Sequence, residues 1–465
     1  MKLAFTWPNL TRSALLLSLC AAVSIPLTAA AETESERLAK LEAAVKALQE
    51  QNAALKREVS ELKGPSPKKE VTRKTTTDGK TYVETTEVEK KPVYVTPGAS
   101  EIKLVLGGFI QGQFEAGDVN AYDGRFPGTI TAKTKDRFRM RRARFTVSGD
   151  FAEQFDFKLE GEFNQADGIT GRTAFSTTDA FVNWHRYPEA QIKLGQYKAP
   201  FGLEQVTSDT KLFTIERSQV TEALTPERQI GVQLWGKPFA EVWPEQKDVL
   251  TYWAGVFNGN GRNTTTNDNN EFMYVARLEA QLFAGKLAGQ DTWFKVGGNY
   301  LSSRDAAGTN ISQTGNLLVG TDGTFSPFVL PTADDREAYG ADASFHFGPF
   351  DVIGEYLDER VRPRIVGGVA PAFAGFDASG YYITAGYFVV PKKLQLVAKW
   401  ESFDPGQRAN DDLRSITGGV NYYIHGDDLK LMAGYIHTWS DFRNNHPVFG
   451  DDQFDEFLLR LQVLF

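Results

Sequence analysis

Residues Arg137–Phe163, RFRMRRARFTVSGDFAEQFDFKLEGEF, decide how the chain is read. Two runs alternate with period two across a short polar turn. In the second run Phe155, Phe157, Leu159, Gly161 and Phe163 share one face, and Asp156, Lys158, Glu160 and Glu162 hold the other. Successive side chains of a strand point to opposite sides, so this run has one apolar wall and one charged wall. A helix would scatter both sets around its axis. In the first run Ala143, Phe145 and Val147 oppose Arg142, Arg144, Thr146 and Ser148. A single hairpin of this kind also suits a soluble sandwich. Recurrence of the pattern to the last residue turns the reading towards a membrane barrel.

The composition agrees. Of 465 residues 42 are Gly and 12% are aromatic, while Met and Cys are scarce, which suits strands and turns. A formal net charge of −8 argues against nucleic acid as a partner. Beyond the N-terminus there is no run of about 18 apolar residues, so no transmembrane helix is expected. A membrane protein of this composition has to close its sheet, because closure satisfies every backbone group.

Residues 1–31 read as a secretory signal: Lys2 and Arg12, an apolar stretch Ala14–Val23, and small residues ending at Ala31. Acylation of Cys20, the sole cysteine, is the alternative. Over 32–63 Leu38, Val45, Asn52 and Val59 fall at heptad a positions, and Leu41, Leu48, Leu55 and Leu62 at d. That is a short periplasmic coiled coil, with an amphipathic surface helix as the alternative. Gly64-Pro65-Ser66-Pro67 ends it, and 64–100 reads as a polar linker with at most a weak hairpin.

From 101 to 465 about sixteen strands follow, among them 137–149, 155–164, 337–347, 415–424 and 455–465. In the last, Phe457, Leu459, Leu461, Val463 and Phe465 oppose Arg460 and Gln462. Tight connections such as Gly149–Gln154, Gly348-Pro349 and Pro391-Lys392 alternate with long ones at 116–136, 199–228, 303–336 and 359–379. The fold class expected is therefore all-β: a transmembrane antiparallel β-barrel of about 16 strands, preceded by a short α-helical coiled coil. Aromatics near strand ends, including Phe151, Trp184, Trp235, Tyr387, Tyr422 and Phe465, fit interfacial girdles. Arg137, Arg139 and Arg141 share parity with the outward Ala143 and Phe145. Charge at the bilayer midplane would cost about 2–4 kcal/mol each, so they are placed above the lipid band, with a register-inverting bulge as the alternative.

A barrel of this size leaves an aqueous lumen. Inward registers supply Arg142, Arg144, Lys158, Lys193, Arg277, Lys295, Lys399, Lys430 and Arg460, interleaved with Asp156, Glu160, Glu162, Asp179, Glu279, Glu355 and Glu401. Lys198 stands at a strand end, and loop 199–228 adds Lys211, Arg217 and Arg228 beside Glu204, Glu216, Glu222 and Glu227. A loop this long is expected to fold into the lumen as a constriction; a cap outside the barrel is the alternative. Arginine forks and lysine charges suit oxyanions, so a modest anion preference is expected, centred on Arg142 and Arg144, with Arg217 and Lys211 approaching from the loop. The five histidines form no metal-spaced pair, and no cofactor is expected.

The words Phe138-Arg139-Met140-Arg141-Arg142-Ala143-Arg144, Asp179-Ala180-Phe181-Val182-Asn183 and Gly195-Gln196-Tyr197-Lys198-Ala199-Pro200-Phe201-Gly202-Leu203-Glu204 carry a resemblance. Ile215-Glu216-Arg217-Ser218 and the terminal Arg460-Leu461-Gln462-Val463-Leu464-Phe465 extend it. With them the chain resembles the phosphate-selective porin O and P family of Gram-negative outer membranes. The resemblance implies a sixteen-stranded trimeric porin passing anions such as phosphate or polyphosphate. It also implies a lipid bilayer around the barrel and insertion machinery that reads the strand ending at Phe465. A non-selective porin, an envelope tether held by the coiled coil and, remotely, a barrel esterase are the other readings.

Overall fold

In the computed structural model of the chain the described residues are Lys46, 70–75, 81–86, 93–96, 102–117, 136–166, 173–312, 316–321, 325–449 and 452–465. The signal segment 1–31 and, Lys46 apart, the coiled coil 32–63 lie outside them. Within 64–100, β1 (Glu70–Thr75) and β2 (Thr81–Thr86) pair as an antiparallel hairpin. This hairpin belongs to a first unit, Met1–Lys90, and all that follows belongs to a second, Lys91–Phe465.

In the second unit β3 (Val93–Thr96) lies antiparallel to the first residues of β4 (Ile102–Gly117). The chain then runs up and down through β5 (Arg137–Phe151), β6 (Phe155–Ala166), β7 (Thr173–Tyr187), β8 (Ala190–Lys198), β9 (Arg228–Gly236), β10 (Leu250–Phe257), β11 (Met273–Leu287) and β12 (Gln290–Ser303). A two-residue pair, β13 (Leu318–Val319) and β14 (Phe325–Ser326), sits inside the next connection. β15 (Asp334–Phe347), β16 (Phe350–Pro363), β17 (Phe376–Val390), β18 (Leu394–Asp404), β19 (Leu413–His425), β20 (Leu429–Ser440) and β21 (Gln453–Leu464) complete the circuit. β21 pairs with β4, so sixteen antiparallel strands close a barrel without a free edge. The C-terminal Phe465 locks the seam: its N–H donates to the Gly108 carbonyl at 3.1 Å and its carbonyl accepts from Gly108 N at 3.0 Å.

Turns and pleat follow from the sequence. Ala288 and Gly289, with φ +50° and +79°, join β11 to β12, the left-handed geometry that matches strand twist in a two-residue hairpin. In β17 Tyr381, Ile383 and Tyr387 are exposed on the outer face, whereas Tyr382 and Thr384 are buried in the lumen. β21 repeats this: Phe457, Leu459 and Leu461 face out, Arg460 and Gln462 in. That is a lipid-facing apolar belt around a polar interior.

Two expectations are corrected. In β5 Arg142 pairs with Gln111 and Met140 with Gly112, so Arg141 is an extra residue in a β-bulge. The bulge inverts parity. Phe138 and Met140 are exposed outside, while Glu115, on the inner face of β4, takes Arg137 and Arg139 in ion pairs at 2.6 and 3.3 Å. The arginines Arg137, Arg139 and Arg141 therefore avoid lipid by turning inward, not by standing above the lipid band. Trp235, grouped with the girdle, also turns into the lumen, where its Nε1 donates to Asn183 at 2.9 Å.

Candidate functional site

Loop 199–227 lies inside the barrel. Apolar residues near its two ends, Ala199, Phe201, Val220, Ala223 and Leu224, are buried in one cluster with the wall residues Phe257, Met273, Leu301, Leu357, Ala378 and Phe403. Two short helices shape it. Gly202, at φ +83°, makes the left-handed entry to Leu203–Val206. Ser218 caps Gln219–Leu224 by accepting from Thr221 N. Both helix starts are tied to the opposite wall through their free N–H groups. Glu355 on β16 accepts from Leu203 N at 2.6 Å and Glu204 N at 3.2 Å; Glu401 on β18 accepts from Gln219 N at 2.9 Å.

Between the helices the loop presents two carboxylates to an arginine wall. Asp209 takes Arg144 at 2.6 Å, Arg217 at 2.6 Å and Arg142 at 3.4 Å. Glu216 takes both nitrogens of the Arg141 fork at 2.8 and 3.0 Å, and also Arg460. Burial pushes the Asp209 carboxyl up, but Arg142, Arg217 and Arg144 outweigh it and hold it well below the usual carboxylate range. Glu216 is depressed in the same way, burial being overcome by Arg141, Arg460 and Arg142. Lysines finish the tethering through carbonyls: Lys430 donates to Thr210 O at 2.8 Å and Lys399 to Glu216 O at 3.3 Å.

The other side of the loop is open. A cavity of about 230 Å³ separates its Leu203–Thr214 segment from β11, β12 and β15–β17 and is lined by Lys211, Lys295 and Glu279, among others. A second, of about 420 Å³, lies along β7–β12, and Lys295 and Glu279 line it too. Its wall carries five cations, Lys193, Lys198, Lys237, Arg277 and Lys295, against three carboxylates, Asp179, Asp248 and Glu279. Each of those carboxylates already has a cation: Asp179 pairs with Lys158 and Arg228, Asp248 with Lys237, and Glu279 with Lys295 and Arg277. Lys193 and Lys198 have no carboxylate within ion-pair distance among the described residues. Lys198 donates instead to the Gln205 and Thr207 carbonyls, at 2.6 and 2.9 Å.

Among its described residues, connection 304–333 packs against β16 and β17. Its Ile311, Leu317, Val319, Phe325, Phe328 and Leu330 are buried in the same apolar cluster as Val361 and Phe376. Beneath it Arg336 is buried between Asp305 at 3.2 Å and Glu359 at 3.3 Å.

A sixteen-stranded barrel with a tethered internal loop and a cationic passage can now be set against known proteins. The model of the phosphate-selective porin O and P family matches residues 114–465. The chain belongs to this family. Porin O of Pseudomonas aeruginosa is 23% identical over 446 residues, covering 84% of this chain and 94% of that protein. An uncharacterised protein of Aquifex aeolicus is 22% identical over 392 residues, covering 74% and 86%. Among solved structures, the anion-selective porin from Comamonas acidovorans aligns with TM-score 0.53 at 12% identity, over 78% of this chain and all of that one. A loop-deletion mutant of OmpT, an outer membrane protein of Vibrio cholerae, gives TM-score 0.51 at 11% identity, over 78% and 99%. These two likenesses concern the fold.

The porin distributes the basic residues read from its sequence among three places. Arg142, Arg144, Arg217 and Arg460 are buried against the loop's Asp209 and Glu216, and Lys399 lies with them at the Glu216 carbonyl. Lys193, Lys198, Lys211, Arg277 and Lys295 line the cavities. Lys158 and Arg228 meet at Asp179, at 2.7 Å each. Asp209, the hub of the first group, was absent from the sequence-based set. Its signal was available as one more acid of loop 199–228, between Glu204 and Glu216. The four aromatic rings of the lower cavity, Phe181, Tyr197, Trp235 and Trp253, were not picked out as a site either.

Proposed function

We propose that this outer-membrane porin passes small oxyanions, phosphate among them, between the infolded loop and the β7–β12 wall. The observation that carries the reading is the adjacency of two cavities that share Lys295 and Glu279 in their walls, with cations in excess and, among the described residues, Lys193 and Lys198 without a carboxylate at ion-pair distance. An anion entering exchanges part of its hydration for lysine and arginine donors. The wall carboxylates keep its hold weak enough for release. Arg142, Arg144 and Arg460 serve by anchoring the loop that leaves this gap. The short turns face the periplasm, three copies of the barrel assemble side by side, and the N-terminal coiled coil is periplasmic and oligomerises. Zero-current potentials of the full chain in a planar bilayer, under a potassium chloride gradient, test the reading. A potential of the chloride sign supports it, and replacing chloride by phosphate keeps that sign.

A further inference from the structure

The lower cavity has more aromatic surface than a small inorganic anion can use. We propose that it is a subsite for anions with a flat apolar body, aromatic carboxylates being the class that fits it. This rests on the anion-channel reading and names a substrate class for it.

Four rings converge there from four neighbouring strands: Phe181, Tyr197, Trp235 and Trp253. Trp235 and Trp253 are directly opposite each other in the β9–β10 ladder, on the lumen side, and neither is fully buried. The hydrogen bond from Trp235 Nε1 to Asn183 Oδ1, 2.9 Å, fixes the plane of that indole. Trp235 and Trp253 therefore form a preset surface, backed by Tyr197, which is buried in the apolar cluster beside Phe257, and by Phe181, which packs against that cluster. Lys193 stands among them, its Nζ 4.5 Å from the Phe181 ring centre, 5.3 Å from Tyr197 and 5.5 Å from Trp235. Ring faces stabilise the ammonium on their side without neutralising it. It lines the cavity together with Asp179, which is paired with Lys158 and Arg228, and among the described residues no carboxylate lies within ion-pair distance of it.

A bound molecule can thus place a carboxylate at Lys193 and a ring against Trp235 and Trp253. A fully hydrated phosphate meets the same lysine but gains nothing from the indoles. An uncharged ring meets the indoles but leaves the ammonium unpaired. Only a molecule with both parts uses both features, and a cavity of about 420 Å³ accommodates one of benzoate size.

The test uses the full-length porin in planar bilayers, with chloride carrying the current at neutral pH. Sodium benzoate, sodium acetate or inorganic phosphate is added to both chambers, and the concentration that halves the chloride conductance is read. The expected half-blocking concentration for benzoate is at least about tenfold below those of acetate and phosphate. In the double variant W235L/W253L the gap between benzoate and acetate should close to within about twofold. Trp253→Leu alone, which leaves the rings around Lys193 in place, should narrow it and serves if the double variant forms no channels. Lys193→Gln should raise the benzoate concentration needed. Equal block by benzoate and acetate in the wild type overturns the proposal, as does an unchanged gap in both tryptophan variants. A potassium-sign reversal potential in the same bilayers defeats the anion-channel reading itself. A chloride-sign potential without benzoate preference defeats only the subsite.

Discussion

Replacing Asp209 by Asn should release the internal loop. Asp209 is 3% exposed in its side chain and meets three guanidiniums, Arg144, Arg217 and Arg142, at 2.6, 2.6 and 3.4 Å. The amide keeps the shape and removes the charge, so three buried cations lose their shared partner. Removing one member of a buried ion pair costs about 3–5 kcal/mol, chiefly through the charge left behind. At about 1.4 kcal/mol per factor of ten, the undocked form of the Thr207–Glu216 segment should become some hundred- to several thousand-fold more populated. Barrel closure should survive, because its ladder from β4 to β21 does not use Asp209. The apolar anchors Phe201, Val220 and Leu224 hold the loop's ends in the lumen. The assay is single-channel recording of Asp209→Asn beside the wild type, with heat-modifiable mobility as the check on folding. Conductance should rise, open-state noise should increase, and anion preference should strengthen because one negative charge has gone. A folded variant with wild-type conductance and noise would show that this ion-pair cluster does not hold the loop.

Three further outcomes follow from the same structure. Asp209 and Glu216 are depressed below the ordinary carboxylate range, so their contribution is present above about pH 4 and lost only as pH falls through the lower folded values. The conductance difference between the wild type and Asp209→Asn, which isolates this contribution, should therefore stay constant from pH 7 through about pH 4 and shrink only in stronger acid; a loss of that difference centred near pH 5 would contradict it. Ile383→Lys puts charge on the lipid face at the middle of β17 and should cost about 2–4 kcal/mol, lowering the yield of folded barrel. Thr384→Lys points into the lumen and should fold normally, which urea titration in lipid vesicles can compare. Deleting Phe465 removes the hydrogen bonds to Gly108 that pin the seam, and membrane fractions should hold less heat-modifiable barrel; undiminished assembly would count against that role.

Much of the barrel was legible because a strand's two faces meet two solvents. Phe457, Leu459 and Leu461 against Arg460 and Gln462 need no tertiary information to be sorted. The long loop's place inside the lumen followed from its length and charge. What could not be decided was anything set by a single inserted residue, where the bulge stood only as the alternative, or by contacts far apart in sequence. The bulge at Arg141 turns three arginines inward, yet parity counted along β5 gives the opposite answer until the partner Gln111–Gly112 is seen. Arg142 and Arg144 were legible as inward cations, but their burial against Asp209, some 65 residues onward, was not. Trp235 looked interfacial from its position near a strand end. Only its pairing with Trp253 and its bond to Asn183 place it in the cavity. The apolar inner surface under loops 199–227 and 304–333 was hidden for a related reason. A lumen wall is expected to be polar, and Phe257, Leu357 and Phe403 become sensible only once the loops cover them.

The division of labour between the two basic walls can be tested in one comparison. Zero-current potentials in a potassium chloride gradient are measured for the wild type, for Lys193→Gln with Lys295→Gln, and for Arg142→Gln with Arg144→Gln. The lysine pair lines the passage, so its loss should move the potential towards the potassium sign at nearly unchanged conductance. Loss of the arginine pair should raise conductance and channel noise, by freeing the loop, while the potential keeps its chloride sign. If the lysine pair leaves the potential unmoved and the arginine pair abolishes anion preference, the anions travel along the arginine wall and the assignment of the path is wrong.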